Sequence, residues 1–402
     1  MNVLMISPGF PQEQAYFARA LARTGTTVLG LGDQGAGSLP PEARDALAHY
    51  EQVPLADTPA VLAAVDRLVR HLPVDRVECL WEPYVVLAAQ LREHLGLAGM
   101  TVQQAMTFRD KELMKQVLDA AGIRTPRHTT ASDVAGVRAA AERIGYPLII
   151  KPIAGAGSAD TYRVGSAEEL ATVLPRLRHV ATVSVEEFVD GEEFTYDTVC
   201  AGGRVLFENV CHYRPRPLEA RSNEWISPMT VVLRELGPEV QAGLEMGRAV
   251  LDVLGFRDGF SHMEWYRKSD GEVVFGEIGA RPPGARTVDM MNYATDDDLY
   301  RTWAEATAGS LTRVPVHRFN SAGVYKRARG SGRITRVEGL EELLAAHRDQ
   351  LCVVDLLPVG APRRDWRATL ISDGIVIARD PDLDTLLRLA DRIATDLRMY
   401  AE

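Results

Sequence analysis

What this chain has little of narrows its class first. Cysteine is scarce: Cys79, Cys200, Cys211 and Cys352 are the only four in 402 residues. No CxxC pair occurs, so neither a zinc spacing nor a disulfide framework is offered. Cys79 and Cys200 fall in β-like runs and read as core packing. This usage suits a reduced, cytoplasmic protein. No apolar run approaches the ~18 residues of a membrane helix, which speaks against a membrane protein. The opening Met1-Asn-Val-Leu-Met-Ile-Ser7 has no basic start and no cleavage site. It reads as a first strand rather than a signal peptide. Positive charge is in deficit, with 45 lysines and arginines against 55 acids and a net of −10. That balance argues for solubility and against nonspecific nucleic-acid binding. Internal repeats, low-complexity linkers and a biotin-carrying Ala-Met-Lys-Met motif are also missing.

What is there is ample for several cores. The chain is 46% hydrophobic, and its length at ~150 residues per domain predicts two or three domains. Residues 1–98 alternate strand and helix: strands at Val3–Ser7, Thr26–Leu31 and Val77–Trp81, helices at Gln12–Arg23, from Asp57 to His71, and at Val85–Leu95. The alternation predicts a parallel sheet flanked by helices. Gly30-Leu-Gly32-Asp-Gln-Gly35 matches GxGxxG formally, but it follows the second strand and opens no helix, so it reads as a plain loop. Ser166 with Glu169 predicts a capping box. Pro238–Leu254 and Leu383–Met399 read as amphipathic helices, and Trp366–Ile371 with Ile375–Ala378 as a hairpin about Ser372-Asp-Gly374.

The chemistry concentrates in a strand–turn–strand stretch. Phe260–Tyr266 carries Glu264, Asp270-Gly271 is a hairpin signal, and Val273–Ile278 carries Glu277. Two carboxylates on paired strands suit Mg²⁺, which takes few protein carboxylates and completes its shell with water and phosphate oxygens. Arg281 follows four residues after Glu277, and a metal pair beside an arginine fits phosphoryl transfer. The hairpin alone equally fits two solvated surface acids. Upstream, Asp110-Lys111 opens a helix. Tyr146–Lys151-Pro152 is an apolar strand ending in a lysine, and Ala154-Gly-Ala-Gly-Ser158 is a glycine-rich turn. Such a turn lets backbone N–H groups approach a polyphosphate. Val183–Val189 and Glu192–Val199 read as two further strands.

Taken in order, Asp110-Lys111, Ile150-Lys151-Pro152, Val185-Glu-Glu-Phe188, Gly191-Glu-Glu-Phe194, Glu264 and Glu277-Ile-Gly-Ala-Arg281 resemble the motifs of the ATP-grasp superfamily, of the carboxylate–amine ligase type. The resemblance covers about residues 100–310. It implies an α/β and α+β ATP-grasp fold: a Rossmann-like substrate domain over 1–98, an ATP-grasp domain over 99–310 with its lid at about 125–190, and a β-rich cap over 311–402. It implies ATP, with Lys111 and Lys151 on its phosphates and Gly155, Gly157 and Ser158 closing over them. Glu186 and the backbone at Phe188 would take the adenine and Glu193 the ribose, with Glu187 a further cofactor-binding residue. Glu264 and Glu277 would hold two Mg²⁺ ions, or Mn²⁺, and Arg281 would face the acyl phosphate. One departure stands out: many relatives place an asparagine two residues after the second acid, where this chain has Gly279.

Substrate contacts are expected from His212, Arg214, Arg216, Arg221, His262 and Arg286, with Asn223, Glu224 and Trp225 lining the pocket. Arginines suit a substrate carboxylate, although a solvated basic loop fits His212–Arg221 as well. The expected activity is amide or peptide bond formation between a small carboxylate and a small amine through an acyl phosphate, releasing ADP and phosphate, in a homodimer. Two alternatives stay open: a bicarbonate-using carboxylase or purine-pathway enzyme, and a nucleotide-binding protein without turnover.

Overall fold

The computed structural model describes residues 1–153, 161–369 and 371–402. Residues 154–160 carry the expected glycine-rich phosphate loop, so Gly155, Gly157 and Ser158 lie outside the described residues. The N-terminal unit is a four-stranded parallel sheet in the order 47–52, 27–32, 2–6, 76–78. The strand Leu47–Gln52 has no clean alternation of apolar residues, and the sequence reading passed over it. It also explains the Gly30–Gly35 motif. A Cβ at Gly32 would lie 2.6 Å from the Tyr50 hydroxyl, and one at Gly30 would lie 2.9 Å from the Tyr50 ring. Those glycines admit the tyrosine of the neighbouring strand. Helices Thr58–Val69 and Val85–Leu95 form where expected. Asp57 caps the first by accepting from Ala60 N, and Gly96 ends the second at φ 66°.

A four-stranded antiparallel sheet follows, in the order 128–131, 183–187, 148–152, 162–164, backed by helices Val134–Ile144 and Ala167–Val173. Ser166 caps the latter by accepting from Glu169 N (3.3 Å), and the Glu169 carboxylate returns to Gly165 N (2.6 Å). The largest sheet has nine strands: 273–279, 259–267, 192–201, 211–214, 229–232, 320–326, 374–380 and 351–356 in spatial order, with 204–209 paired to 192–201. One face packs on helices Pro238–Val253 and Leu383–Thr395. The other packs on Thr287–Thr295, Leu299–Ala308 and the N-terminal unit.

Three expectations about the C-terminal stretch change. Main-chain pairing runs straight through residue 310, because Asn320–Lys326 joins Met229–Val232 on one side and Gly374–Asp380 on the other. The β-rich stretch expected over 311–402 thus contributes strands to the large sheet. The hairpin partner of Gly374–Asp380 is Leu351–Leu356, not 366–371. Ser372-Asp373 does not act as a hairpin turn. The buried Asp373 carboxylate accepts from Ala328 N and Arg364 N, both at 2.8 Å, and anchors the loop instead. Finally, the last helix ends at Thr395, before a strand Arg398–Ala401. The buried Lys326 ammonium takes the carbonyls of Ile393 (2.9 Å) and Ala394 (2.8 Å), which terminates the helix there.

Candidate active site

The two strands Gly259–Arg267 and Val273–Gly279 pair antiparallel, and Glu264 stands directly opposite Glu277. The register then shifts, with Trp265 opposite Phe275, so Gly276 is an extra residue in a bulge. A Cβ on Gly276 would meet the Glu264 carbonyl at 2.7 Å, so only glycine fits this bulge. Bulges beside functional sites commonly re-aim a side chain. Alternation puts Phe260, His262 and Glu264 on the face toward the N-terminal unit, while Met263 and Trp265 enter the opposite core.

The helix Lys111–Ala120 is capped by Asp110, which accepts from Glu112 N (2.9 Å) and Leu113 N (3.0 Å). Its inward face carries Lys111, Met114, Lys115 and Leu118. Lys111 pairs with Glu277 at 3.0 Å. Lys151, at the end of the strand Leu148–Pro152, pairs with Glu186 at 2.9 Å. Lys115 pairs with the same Glu186 carboxylate, and Ser184 donates to it at 2.8 Å. The sequence reading missed Lys115, although it lies four residues after Lys111 on the same helix face. Burial opposes ionisation of Glu186, and the two ammonium groups overcome it and hold the carboxyl well below its ordinary range. Burial brings Lys115 down to about 8, which leaves it charged at neutral pH. Two cations and one anion thus give this trio a net charge of +1.

Lys111, Lys151, Glu186, Glu187, Phe188, Glu193, Glu264 and Glu277 all line one cavity. Ile149, Pro126, Val189 and Tyr266 supply its apolar wall. Within it three expectations are adjusted. The Glu187 carboxylate turns to Arg124 (3.0 Å) and Arg127 (3.3 Å). The Phe188 N–H is bonded to Pro147 O at 3.2 Å. Glu193 pairs with Arg216 at 3.1 Å; burial, and then the nearby Glu264 charge, push it up to about 8.

Arg216 therefore belongs to this cavity, with its guanidinium 5.0 Å from the Phe188 ring centre and 4.7 Å from that of Tyr266. The other expected substrate residues mostly lie elsewhere. His212 stacks on Phe194, 4.5 Å between centres, and burial lowers it to about 4. His212 and Arg214 share an open groove with Glu192, Glu219 and Asp391. Alternation is the reason: Tyr213 points into the site, 3.4 Å from Glu264, so its neighbours point away. Arg221 donates to Arg367 O (2.7 Å), and Arg286 pairs with Asp289 (2.8 Å) and Asp355 (3.2 Å). Asn223 donates to Glu219 O, Glu224 pairs with Arg363, and Trp225 is 82% exposed.

Arg281 is held by a residue that the sequence reading did not single out. Its Nε lies 2.9 Å from Glu82, which also binds Arg109. Burial works against the guanidinium charge, and Glu82 more than restores it. Glu82 belongs to the turn Glu82–Tyr84 of the N-terminal unit, so that unit reaches the site through one carboxylate. The pair also accounts for Gly279: a Cβ there would lie 3.3 Å from Arg281 Cγ and 3.9 Å from Glu82. A larger side chain would crowd the arginine. Among the described residues no cluster of three or more His, Cys, Asp or Glu side chains forms a metal cage. Two facing carboxylates, beside lysines that could hold phosphate oxygens, are hard oxygen donors of the kind Mg²⁺ takes, so the donor set fits that ion.

The family model for the ATP-grasp domain matches residues 116–293. That stretch is an ATP-grasp domain. The whole chain superposes on the L-amino acid ligase of Bacillus licheniformis with a TM-score of 0.80 at 20% identity, covering 100% of this chain and 98% of that one. It superposes on N5-carboxyaminoimidazole ribonucleotide synthetase of Thermotoga maritima at 0.74 and 16% identity, covering 100% and 99%. The fold shared with these two enzymes thus extends over the entire chain. In sequence, the L-arginine-specific L-amino acid ligase of Bacillus subtilis is 29% identical over 237 residues, 57% of each protein. The match therefore spans little over half the length of that relative. Among the described residues no helix is long and apolar enough to cross a membrane.

Proposed function

We propose that this ATP-grasp protein is an ATP-dependent carboxylate–amine ligase, joining two small molecules, an amino acid or similar carboxylate and an amine, through an acyl phosphate. The observation that carries the reading is the Glu264–Glu277 pair in a cavity also lined by Lys111 and Lys151. Lys111 and Lys151 bind the triphosphate, and Glu193 with Arg216 frames the ribose. Glu264 and Glu277 would hold Mg²⁺, which supplies charge neutralisation on the phosphates when bound. A substrate carboxylate oxygen attacks the γ-phosphorus, and ADP leaves. The amine then attacks the acyl carbon and phosphate leaves. Arg281, fixed by Glu82, stabilises the oxyanion of that tetrahedral state, a contribution typically worth ~3 kcal/mol. The four-stranded antiparallel sheet of residues 128–187 serves as the lid and excludes water that would hydrolyse the acyl phosphate. The L-amino acid ligases among the relatives support the amide-forming chemistry.

The test is phosphate release from ATP and Mg²⁺ over pairs of amino acids and other carboxylates. ADP and phosphate are expected; AMP and pyrophosphate would overturn the mechanism. Glu277→Gln should abolish release while the fold persists, and an active variant would refute the cation role. Turnover that needs bicarbonate and no amine would point instead to the carboxylase chemistry.

A further inference from the structure

Behind the metal-facing hairpin lies a buried polar chain that the proposed chemistry does not use. Asp197 is 0% exposed and sits in the central strand Glu192–Ala201. It is directly opposite His262, which in turn is opposite Gly279, so these residues form one row across three strands. Asp197 Oδ1 meets His262 Nδ1 at 2.6 Å. Asp197 Oδ2 accepts from Thr195 Oγ1 (2.7 Å) and Asn209 Nδ2 (3.1 Å), with Cys211 Sγ at 3.8 Å. Asn209 Oδ1 is tied to His317 Nε2 at 3.0 Å. At the other end, His262 Nε2 lies 3.6 Å from Glu264 Oε1, and the Tyr213 hydroxyl lies 3.4 Å from the same oxygen.

A carboxylate taken fully out of water is costly, and four protein contacts around Asp197 are a large investment of polar groups in one place. Their combined effect is geometric. The Asp197 contact fixes the rotation of the imidazole, so that Nε2 has one direction. That direction is Glu264 Oε1. Gly279 on the third strand brings no side chain of its own to the ring, and the Arg281 side chain packs over it. We infer that Asp197 is a positioning residue for the cation site. Acting through His262, and with Tyr213, it turns Glu264 Oε1 toward protein donors and leaves Oε2 for the ion. Outer partners of this kind typically alter metal affinity 10- to 100-fold on removal.

This inference rests on the proposed metal–nucleotide reading, and its test separates the two. Mn²⁺ binding is titrated by paramagnetic resonance on the full chain in the presence of ADP, and ADP binding is measured by calorimetry without metal. Asp197→Asn should weaken Mn²⁺ about 10- to 100-fold and leave metal-free ADP affinity within about twofold. Tyr213→Phe, which spares the buried chain, should weaken Mn²⁺ in the same direction by a smaller factor. If the native protein with ADP binds no Mn²⁺, the metal reading itself fails. If the native protein binds and both variants bind equally well, the positioning inference alone is overturned. Should Asp197→Asn not fold, Tyr213→Phe decides: unchanged Mn²⁺ affinity counts against the inference.

Discussion

The Lys115–Glu186 contact offers the sharpest test of how the cavity is built. Their side chains are 1% and 5% exposed, and they come from segments 71 residues apart. Lys115→Met keeps the volume and removes the charge, so no cavity forms. Glu186 would retain Lys151 (2.9 Å) and Ser184 (2.8 Å). The cost should therefore fall below the 3–5 kcal/mol of a fully orphaned buried charge, at about 2–3 kcal/mol. Glu186→Gln instead leaves two neighbouring ammonium groups without their shared anion. Lys115, already brought down to about 8 by burial, would lose its proton near neutral pH. That substitution should cost about 3–5 kcal/mol. In the double variant neither penalty is paid twice, so its loss should resemble that of one single variant. A coupling energy of about 2–3 kcal/mol follows. Urea unfolding, followed by fluorescence of the buried Trp265, measures all four proteins. Single losses that add within about 0.5 kcal/mol would refute the idea of a shared charge. Lys115→Met also reduces the trio from net +1 to zero, so ADP should bind roughly tenfold more weakly, equivalent to about 1.4 kcal/mol.

Two further outcomes are expected. A Cβ at Gly247 would lie 2.3 Å from the Tyr196 ring; Gly247→Ala should destabilise by a net ~1–2 kcal/mol, because overpacking outweighs the ~1 kcal/mol of helix propensity gained, and a rise in urea midpoint would contradict that close approach. Burial lowers His317 to about 4, from 6.5. Between those values the unfolded chain takes up a proton that the folded one refuses, so stability falls as pH drops from 6.5 toward 4, by at most ~3 kcal/mol. The stability difference between native and His317→Gln proteins should narrow over that window, and a difference independent of pH would refute the assignment.

Some of this protein is written locally in its residues. The alternation of strand and helix over 1–98, the Asp110 cap and the Glu264–Glu277 hairpin depend on neighbours a few positions apart, so periodicity and turn residues reveal them. Lys111, Lys151, Glu186, Glu193, Glu264 and Glu277 were legible as an ordered set, and they do line one cavity. Other features depend on contacts between distant segments. Glu82 reaches Arg281 across 199 residues, and Lys115 reaches Glu186 across 71. No local pattern encodes either pair. The bulge at Gly276 decides how Glu264 and Glu277 face each other, and period-two alternation from Tyr213 sends His212 and Arg214 to the opposite face. Residue types and short spacings chose the chemistry. Only the packing of one segment on another decided which charges meet, because burial and charge pairing act through space and not along the chain.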